Sequence, residues 1–230
     1  MRPRTDRPVL EPVPPPRRAT PSPAEIEAEW RRRSARPGLA RVMRASQPDA
    51  LADCVTAATR RLVAGHLRAA ASMLGRPVRS ALEIGCGIGR LTPTIAARAE
   101  RVLAVDLTAE MLAEARLACA GSSNVEFLRC PVQRLPFERS TVDVAVCVWV
   151  LMHVLDDDEL AAACRAIARS TRYLTLVEYE YAAVPVGRFS RLRTVDEYLA
   201  MLPGAELVEC RELGYGGDRS FAALIALGRS

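Results

Sequence analysis

The chain has 230 residues, half of them apolar, which is enough for one domain with a sizeable core and a small appendage. No apolar run approaches the roughly 20 residues of a membrane span, and the Pro- and Arg-rich N-terminus lacks the apolar segment of a secretory signal. Residues 1–44 carry a net charge of +6 from 11 arginines and 5 acids, whereas residues 45–230 carry −1 from 21 arginines and 22 acids, which argues against a nucleic-acid surface over the whole body.

The cysteines and histidines do not indicate a metal site. Seven cysteines are scattered without a C-x-x-C pair, and only two histidines, His66 and His153, accompany them. Isolated cysteines of this kind are most often small, buried core residues. We therefore predict a reduced, cytoplasmic protein without a bound metal.

The N-terminal part predicts an arm followed by helices. Residues 1–22 are rich in Pro and Arg with few apolar anchors, which predicts a disordered arm. The Ser-Pro start and early acids of "SPAEIEAEWRRRSA" predict a first helix from Pro23. Apolar residues at helical spacing predict a second helix from Asp49 to Leu74, ended by Gly75. Residues 23–76 thus form a predicted helical cap ahead of a domain over residues 77–230.

After the cap, short apolar strands alternate with helices. The predicted strands are 79–85, 101–107, 125–130, 142–151 and 172–179, and the predicted helices are 90–100, 108–121 and 156–170. Thr108 is the expected N-cap and Gly121 the expected end of the middle helix. Such alternation predicts an α/β fold, an open parallel sheet with helices on both faces. The tail, 205–213 and 219–227, has no room for a helix between its strands, which predicts a hairpin with an antiparallel last strand.

The stretch "ALEIGCGIGR" is the expected ligand site, because it ends the first strand and ligands bind at the carboxyl ends of such strands. A dinucleotide loop reads G-x-G-x-x-G, but here Arg90 stands where the third glycine belongs, which disfavours a nicotinamide oxidoreductase. The glycines instead are Gly85, Gly87 and Gly89. Asp106 ends the next strand, 21 residues after Gly85, where a carboxylate can accept both hydroxyls of a ribose.

"LEIGCGIGR" resembles the E-x-G-x-G-x-G loop of class I S-adenosylmethionine-dependent methyltransferases. The resemblance continues through "VLAVDLTAEML", the Leu-Pro-Phe run at 135–137 and Asp143 at the start of the fourth strand, and covers about residues 78–180. It implies a Rossmann-like, doubly wound, mostly parallel seven-stranded sheet, with S-adenosyl-L-methionine as cofactor and S-adenosyl-L-homocysteine as product. It also implies a set of cofactor-binding residues: Glu83, Gly85, Gly87, Gly89, Asp106, Leu107, Met111, Val132 and Gln133.

Three positions in and around this set leave alternatives open. Many relatives carry an acid after the third strand that binds the adenine amino group, but this chain has Pro131 there, so Gln133, a backbone carbonyl or water must take its place. Glu83 either contacts the methionine ammonium through water or holds the loop together. Arg90 either reaches the methionine carboxylate or, as the position after the loop favours, lies at the surface.

The candidate catalytic residue is His153, which follows the buried fourth strand at its carboxyl end. A near-neutral pKa would let it take a proton from an acceptor hydroxyl or amine; the alternative is a histidine that caps the next helix or contacts only the cofactor. Trp149, Glu178 and Tyr181 are candidate substrate-binding residues, with sheet core or a solvated strand end as alternatives. The acids of 156–159 are interpreted as a helix N-terminus rather than a metal cluster.

The function implied is methyl transfer to an O or N atom of a small metabolite. The N-terminal helices and the insert 182–204 are expected to form a lid, and the lysine-free, arginine-rich composition favours natural-product tailoring as a hypothesis. The Pro-Pro turn of amino-methylating nucleic-acid enzymes is absent, and no membrane partner is expected. Methylation of a peptide or RNA gripped by the basic arm, and a non-catalytic cofactor-binding partner protein, remain the alternatives. The oligomeric state is open between monomer and homodimer.

Overall fold

The computed structural model describes residues 20–44, 48–137 and 141–228. Helix α1 (Pro23–Ser34) and helix α2 (Asp49–Leu74) confirm the two predicted N-terminal helices. Ser22 starts α1 with a reciprocal capping box, in which its hydroxyl accepts the Glu25 N–H and the Glu25 carboxylate accepts the Ser22 N–H. Gly75 ends α2 in the left-handed conformation, with φ of +66°. Residues 1–19 of the predicted arm lie outside the described residues.

Seven strands build one sheet. They are β1 (Val78–Ile84), β2 (Ala99–Asp106), β3 (Val125–Arg129), β4 (Val142–Val148), β5 (Thr171–Tyr181), β6 (Ala205–Tyr215) and β7 (Asp218–Leu227). Their order in the sheet is β3-β2-β1-β4-β5-β7-β6. The first five strands pair in parallel, and β7 runs antiparallel to both of its neighbours. The predicted mostly parallel, seven-stranded sheet with an antiparallel last strand is confirmed.

Four further helices connect the strands: α3 (Thr92–Ala96), α4 (Ala109–Ala118), α5 (Asp157–Ser170) and α6 (Val195–Met201). Thr108 caps α4, as predicted, by accepting the Met111 N–H. Asp156 caps α5 by accepting two backbone N–H groups from the first turn of the helix. The acids of 156–159 therefore do form a helix N-terminus.

Some predicted boundaries were wrong. The helix expected over 90–100 spans only α3, because β2 begins at Ala99, which pairs with Val78 of β1. Helix α4 ends with Cys119 as its C-cap, so Gly121 does not close it. Strand β4 ends at Val148, and a 3-10 turn occupies residues 151–153. Helix α6 was missed, although Thr194 and Glu197 form a capping box whose spacing is visible in the sequence.

The two faces of the sheet are buried under different helices. Leu82, Cys147 and Leu174 face the layer that contains α5 and α6. On the opposite face, alternate residues such as Val144 pack in one cluster with Leu67 of α2 and with α3. The sheet is therefore doubly wound, and the carboxyl ends of β1, β2 and β4 meet at one edge. None of the helices in 20–44, 48–137 and 141–228 is long and apolar enough to cross a membrane.

Candidate functional site

A cavity of about 630 Å³ opens at this edge of the sheet. Its wall is formed by the glycine loop, the ends of β2 and β4, the turn 130–134 and the inner side of α1. Pockets for small ligands commonly have volumes of about 300–1,000 Å³. The cavity therefore has the size of a small-molecule site.

At each glycine of the loop, neighbouring atoms lie so close to the Cα atom that a side chain has no room. Gly85 and Gly87 have φ of +68° and +52°, and a Cβ on either residue would collide with Val150 or Val42, respectively. Gly89 (φ +78°) does not line the cavity; a Cβ there would lie 3.0 Å from the Ala115 Cα atom, in the backbone of α4. Thus two glycines shape the wall of the cavity and the third lets the loop pack on a helix.

Asp106 holds the loop and also faces the cavity. Its Oδ2 accepts the Gly87 N–H at 2.9 Å, and its Oδ1 accepts the Thr108 N–H at 3.0 Å. Burial raises the pKa of Asp106, against the lowering effect of these hydrogen bonds. Oδ1 also accepts the Thr108 hydroxyl at 3.2 Å, so the acceptor position left for a ligand hydroxyl is on Oδ2. Leu107 and Met111 line the cavity beside it.

Glu83 lies beneath the loop with 3 % of its surface exposed. Its carboxyl accepts the Thr92 hydroxyl at 2.6 Å, which ties β1 to the start of α3. Burial raises the pKa of Glu83 to about 7. This contact supports the loop, and Glu83 also lines the cavity, so both roles left open by the sequence stay predictions.

Arg90 is not at the surface, contrary to the alternative that the sequence favoured. Its guanidinium lies 5.0 Å from the centre of the Trp149 ring, and burial lowers its pKa to about 10. Within the described residues, its buried Nη1 atom has no hydrogen-bond partner. Arg90 lines the cavity, and a buried cation with an unused donor is costly unless an anionic group pairs with it. The Glu83 carboxyl also acts on Arg90 and raises its pKa against the effect of burial, so Arg90 brings a positive charge to the cavity wall.

His153 lines the cavity from the turn that follows β4. Its Nδ1 atom lies 2.7 Å from the Phe189 carbonyl oxygen. Because a carbonyl only accepts, Nδ1 carries the proton and Nε2 carries the lone pair. Burial lowers the pKa of His153 to about 4, so the ring is neutral near pH 7. The Trp30 ring of α1 contacts it edge-on, with 4.7 Å between ring centres.

Of the three candidate substrate-binding residues, one lines the cavity and two do not. Trp149 lines the cavity, with an unusual φ of +56° and an indole N–H that donates to Ser220. Glu178 is fully buried outside the lining, where its carboxyl accepts the Leu151 N–H at 2.6 Å, and burial raises its pKa to about 8. Tyr181 is 54 % exposed, also outside the lining. The structure brings only Trp149 to the cavity, because β5 continues to Tyr181 and directs Glu178 under the 151–153 turn.

The turn after β3 forms another part of the wall. Val132 and Gln133 line the cavity, as does Glu159 in the first turn of α5. The Gln133 side-chain amide donates to a Glu159 carboxylate oxygen at 3.2 Å. Sequence reasoning assigned Glu159 only to a helix N-terminus and missed its place in the cavity. In the part of the chain that the structure describes, no cluster of His, Cys, Asp or Glu could hold a metal ion.

Helix α1 covers the cavity and is held by ion pairs. Ile26 and Trp30 line its inner side. Glu27 pairs with Arg129 at 2.7 Å, and Arg31 pairs with Glu110 at 3.2 Å. The N-terminal helix therefore closes one side of the site through contacts with β3 and α4.

Comparison with known proteins agrees with this geometry. Residues 81–173 match the family model described as a methyltransferase domain. A ubiquinone biosynthesis O-methyltransferase from Bordetella parapertussis is 34 % identical over 107 residues, covering 46 % of this chain and 43 % of the relative. One from Nitrosomonas europaea is 28 % identical over 144 residues, covering 58 % and 61 %, respectively. The chain thus spans about half the length of these curated relatives.

Solved structures agree in fold. The N-methyltransferase NodS from Bradyrhizobium japonicum, in complex with S-adenosyl-L-homocysteine, aligns with a TM-score of 0.67 at 16 % identity over 87 % of this chain and 98 % of that one. Magnesium protoporphyrin IX methyltransferase from Synechocystis, with bound S-adenosyl-L-homocysteine, gives 0.62 at 17 % identity, over 87 % and 94 %. Residues 81–173 thus match the model of a methyltransferase domain, and the fold of the chain is that of these two solved methyltransferases. Both of these solved proteins are described with bound S-adenosyl-L-homocysteine, the product that the resemblance of the glycine loop implied.

Proposed function

We propose that the protein transfers a methyl group from S-adenosylmethionine to an oxygen or nitrogen atom of a small metabolite. The observation that supports the proposal is a single cavity wall that contains the glycine loop, the Asp106 carboxylate and the Arg90 guanidinium. Nη1 of this guanidinium has no hydrogen-bond partner among the described residues. The cofactor fits these residues, because Gly85 and Gly87 bring backbone without side chains to the cavity wall and the Nη1 donor of Arg90 is unused among the described residues.

Each part of the cofactor has a proposed partner. Asp106 would accept a ribose hydroxyl, and Leu107 and Met111 would flank the adenine. Arg90 would pair with the methionine carboxylate, and Gly85 and Gly87 allow the chain to approach the methionine. When bound, S-adenosylmethionine supplies a methyl group that is already activated on a sulfonium. The protein's main task is therefore to orient the acceptor and exclude water.

His153 is proposed to receive the acceptor's proton. Its Nδ1 proton is held by the Phe189 carbonyl, so the free lone pair belongs to Nε2. Burial lowers the pKa of His153 to about 4, below the near-neutral value expected from the sequence, so the lone pair is free at neutral pH but is a weaker base than an exposed imidazole. Proton transfer to Nε2 would accompany the loss of the proton from a hydroxyl or amine as that atom gains the methyl group.

The proposed acceptor is small because α1 covers the cavity and leaves little room for a polymer. The relatives' names include both O- and N-methyltransferases, which supports either acceptor atom without choosing one. The finer proposal of natural-product tailoring rests on the lysine-free, arginine-rich composition.

The test is calorimetric titration of S-adenosylhomocysteine and of NADH into wild type, Asp106→Ala and the control Asp158→Ala, whose carboxylate is exposed outside the cavity lining. We expect the first ligand to bind wild type, and only Asp106→Ala to weaken binding, by about tenfold. Binding of NADH alone would contradict the proposal. Binding of neither ligand would favour a non-catalytic partner protein.

A second step tests the chemistry. Wild type is incubated with S-adenosylmethionine and either a catechol or a primary amine, and methylated product is measured by mass spectrometry. His153→Gln is expected to lower kcat by about 10²-fold or more while S-adenosylhomocysteine affinity stays within about twofold. Equal kcat for the two proteins would remove His153 from the chemistry.

A further inference from the structure

The turn after β3 lacks the acid that many relatives use for the adenine amino group. Its residues are Cys130, Pro131 and Val132, and neither Pro131 nor Val132 has a polar side chain. An amino group bound in a site from which water is excluded needs acceptors for its two N–H bonds. A side chain of the cavity wall, a backbone carbonyl or water can supply them.

Glu159 brings a carboxylate to the same part of the wall. It follows Pro131 by 28 residues, but α5 packs against the 132–134 turn and both elements line the cavity. The Gln133 amide donates to Oε2 of Glu159 at 3.2 Å, which fixes the position of the carboxylate. Since this contact uses one acceptor position, Oε1 and the second position on Oε2 remain for a ligand.

We infer that Glu159 accepts a hydrogen bond from the 6-amino group of the cofactor's adenine, and that Gln133 is its positioning residue. The inference rests on the proposed function. Glu159, which lies in α5, would thus take the role of the acid that many relatives have at the position of Pro131. It also selects the base: a 6-oxo purine presents an acceptor where adenine presents a donor, and two acceptors face each other unfavourably.

The test compares S-adenosylhomocysteine with its deaminated analogue, S-inosylhomocysteine, by calorimetric titration into the full-length protein. The variants are Glu159→Gln and the control Asp158→Asn. Asp158 lies in the same helical turn, is exposed and does not line the cavity, so both substitutions remove one charge near the same helix N-terminus. Unfolding midpoints in urea are measured on wild type, on both of these variants and on a third variant, Gln133→Leu, to show that each is folded.

We expect wild type and Asp158→Asn to prefer the adenine ligand by about tenfold or more. In Glu159→Gln this preference should fall below about threefold, because the new amide can also donate to a 6-oxo group. Gln133→Leu should give an intermediate preference, since it leaves the carboxylate in place but unsupported.

Two failures are distinguishable. If Glu159→Gln keeps the wild-type preference while still binding both ligands, the inference is wrong and the proposed cofactor stands. If wild type binds neither ligand, the proposed function is wrong and the inference falls with it. A preference lost equally in Asp158→Asn would show a general charge effect and would also overturn the inference.

Discussion

Replacement of Arg90 by methionine should separate ligand binding from folding. The side-chain stem that covers Trp149 is retained, while the buried guanidinium is removed. In the free protein this group lacks a partner for Nη1 among the described residues, and burial lowers its pKa to about 10. The substitution therefore relieves a desolvated charge but removes the proposed partner of a ligand carboxylate.

The two effects have different magnitudes. A hydrogen bond to a charged group contributes about 1.5–3 kcal/mol, so loss of the carboxylate contact should weaken S-adenosylhomocysteine binding by about 10- to 150-fold. The stacking of Arg90 on Trp149 contributes about 0.5–2 kcal/mol, which the relief of desolvation offsets. The free energy of unfolding should therefore change by less than about 1 kcal/mol.

The assay combines calorimetric titration with urea unfolding of wild type, Arg90→Met and the control Arg98→Met. Arg98 is exposed just beyond α3, donates to the Thr94 carbonyl and does not line the cavity. Arg98→Met should leave the affinity unchanged, which separates the local contact from the loss of one positive charge.

Two results would refute the reasoning. Equal affinities of wild type and Arg90→Met would show that no ligand carboxylate reaches the guanidinium. A loss of more than about 3 kcal/mol in unfolding free energy would show that Arg90 is a structural residue whose charge is well compensated in the free protein.

Three further predictions concern stability. Gly89→Ala should destabilise the protein by about 2–4 kcal/mol in urea unfolding, against about 1 kcal/mol for Gly75→Ala, because both residues have positive φ but only Gly89 meets the α4 backbone; equal losses would contradict the clash. His153 has a folded pKa of about 4, below its unfolded value, so the unfolded state binds its proton first as pH falls. Wild type should therefore lose about 1–2 kcal/mol more than His153→Gln between pH 7 and pH 5, and parallel curves would argue against a buried ring. Asp143 accepts two hydrogen bonds from Arg76, at 2.7 and 2.8 Å, and its pKa is lowered chiefly by them, against a raising effect of burial. Asp143→Asn should thus cost stability above pH 4 that vanishes in acid; a pH-independent difference would count against the ion pair.

The fold could be predicted largely because its signals are local. The capping box at Ser22, the left-handed Gly75 and the alternation of apolar strands with helices each act within a few residues. The error at 90–100 has a different origin. Ala99 joins β2 because Val78 of the neighbouring strand pairs with it, and this pairing is set by the sheet rather than by local preference.

The site was harder to predict because its polar contacts join distant parts of the chain. Glu178 lies three residues before the end of β5 at Tyr181, and its carboxyl accepts hydrogen bonds from the backbone of residues 150–152. Arg90 lies beneath an aromatic ring that is 59 residues away in sequence. Glu159 meets Gln133 only after α5 packs on the turn that follows β3. Rules based on the spacing of residues in the sequence do not predict these contacts.

The hydrogen bonds within the loop explain in physical terms why it suits a ribose and a methionine rather than a pyrophosphate. A phosphate-binding loop needs backbone N–H groups that point at the ligand. Here the Cys86 N–H donates to the Val105 carbonyl, the Gly87 N–H to Asp106 and the Gly89 N–H to the Cys86 carbonyl. These three donors are already used, and the Asp106 carboxylate would repel an added anion. The same carboxylate is a good acceptor for neutral hydroxyls. The guanidinium in the cavity wall belongs to Arg90, one residue beyond the loop. The arginine at the third glycine position of the dinucleotide pattern therefore brings a side-chain cation to the cavity wall, and under the proposed function this cation pairs with the methionine carboxylate.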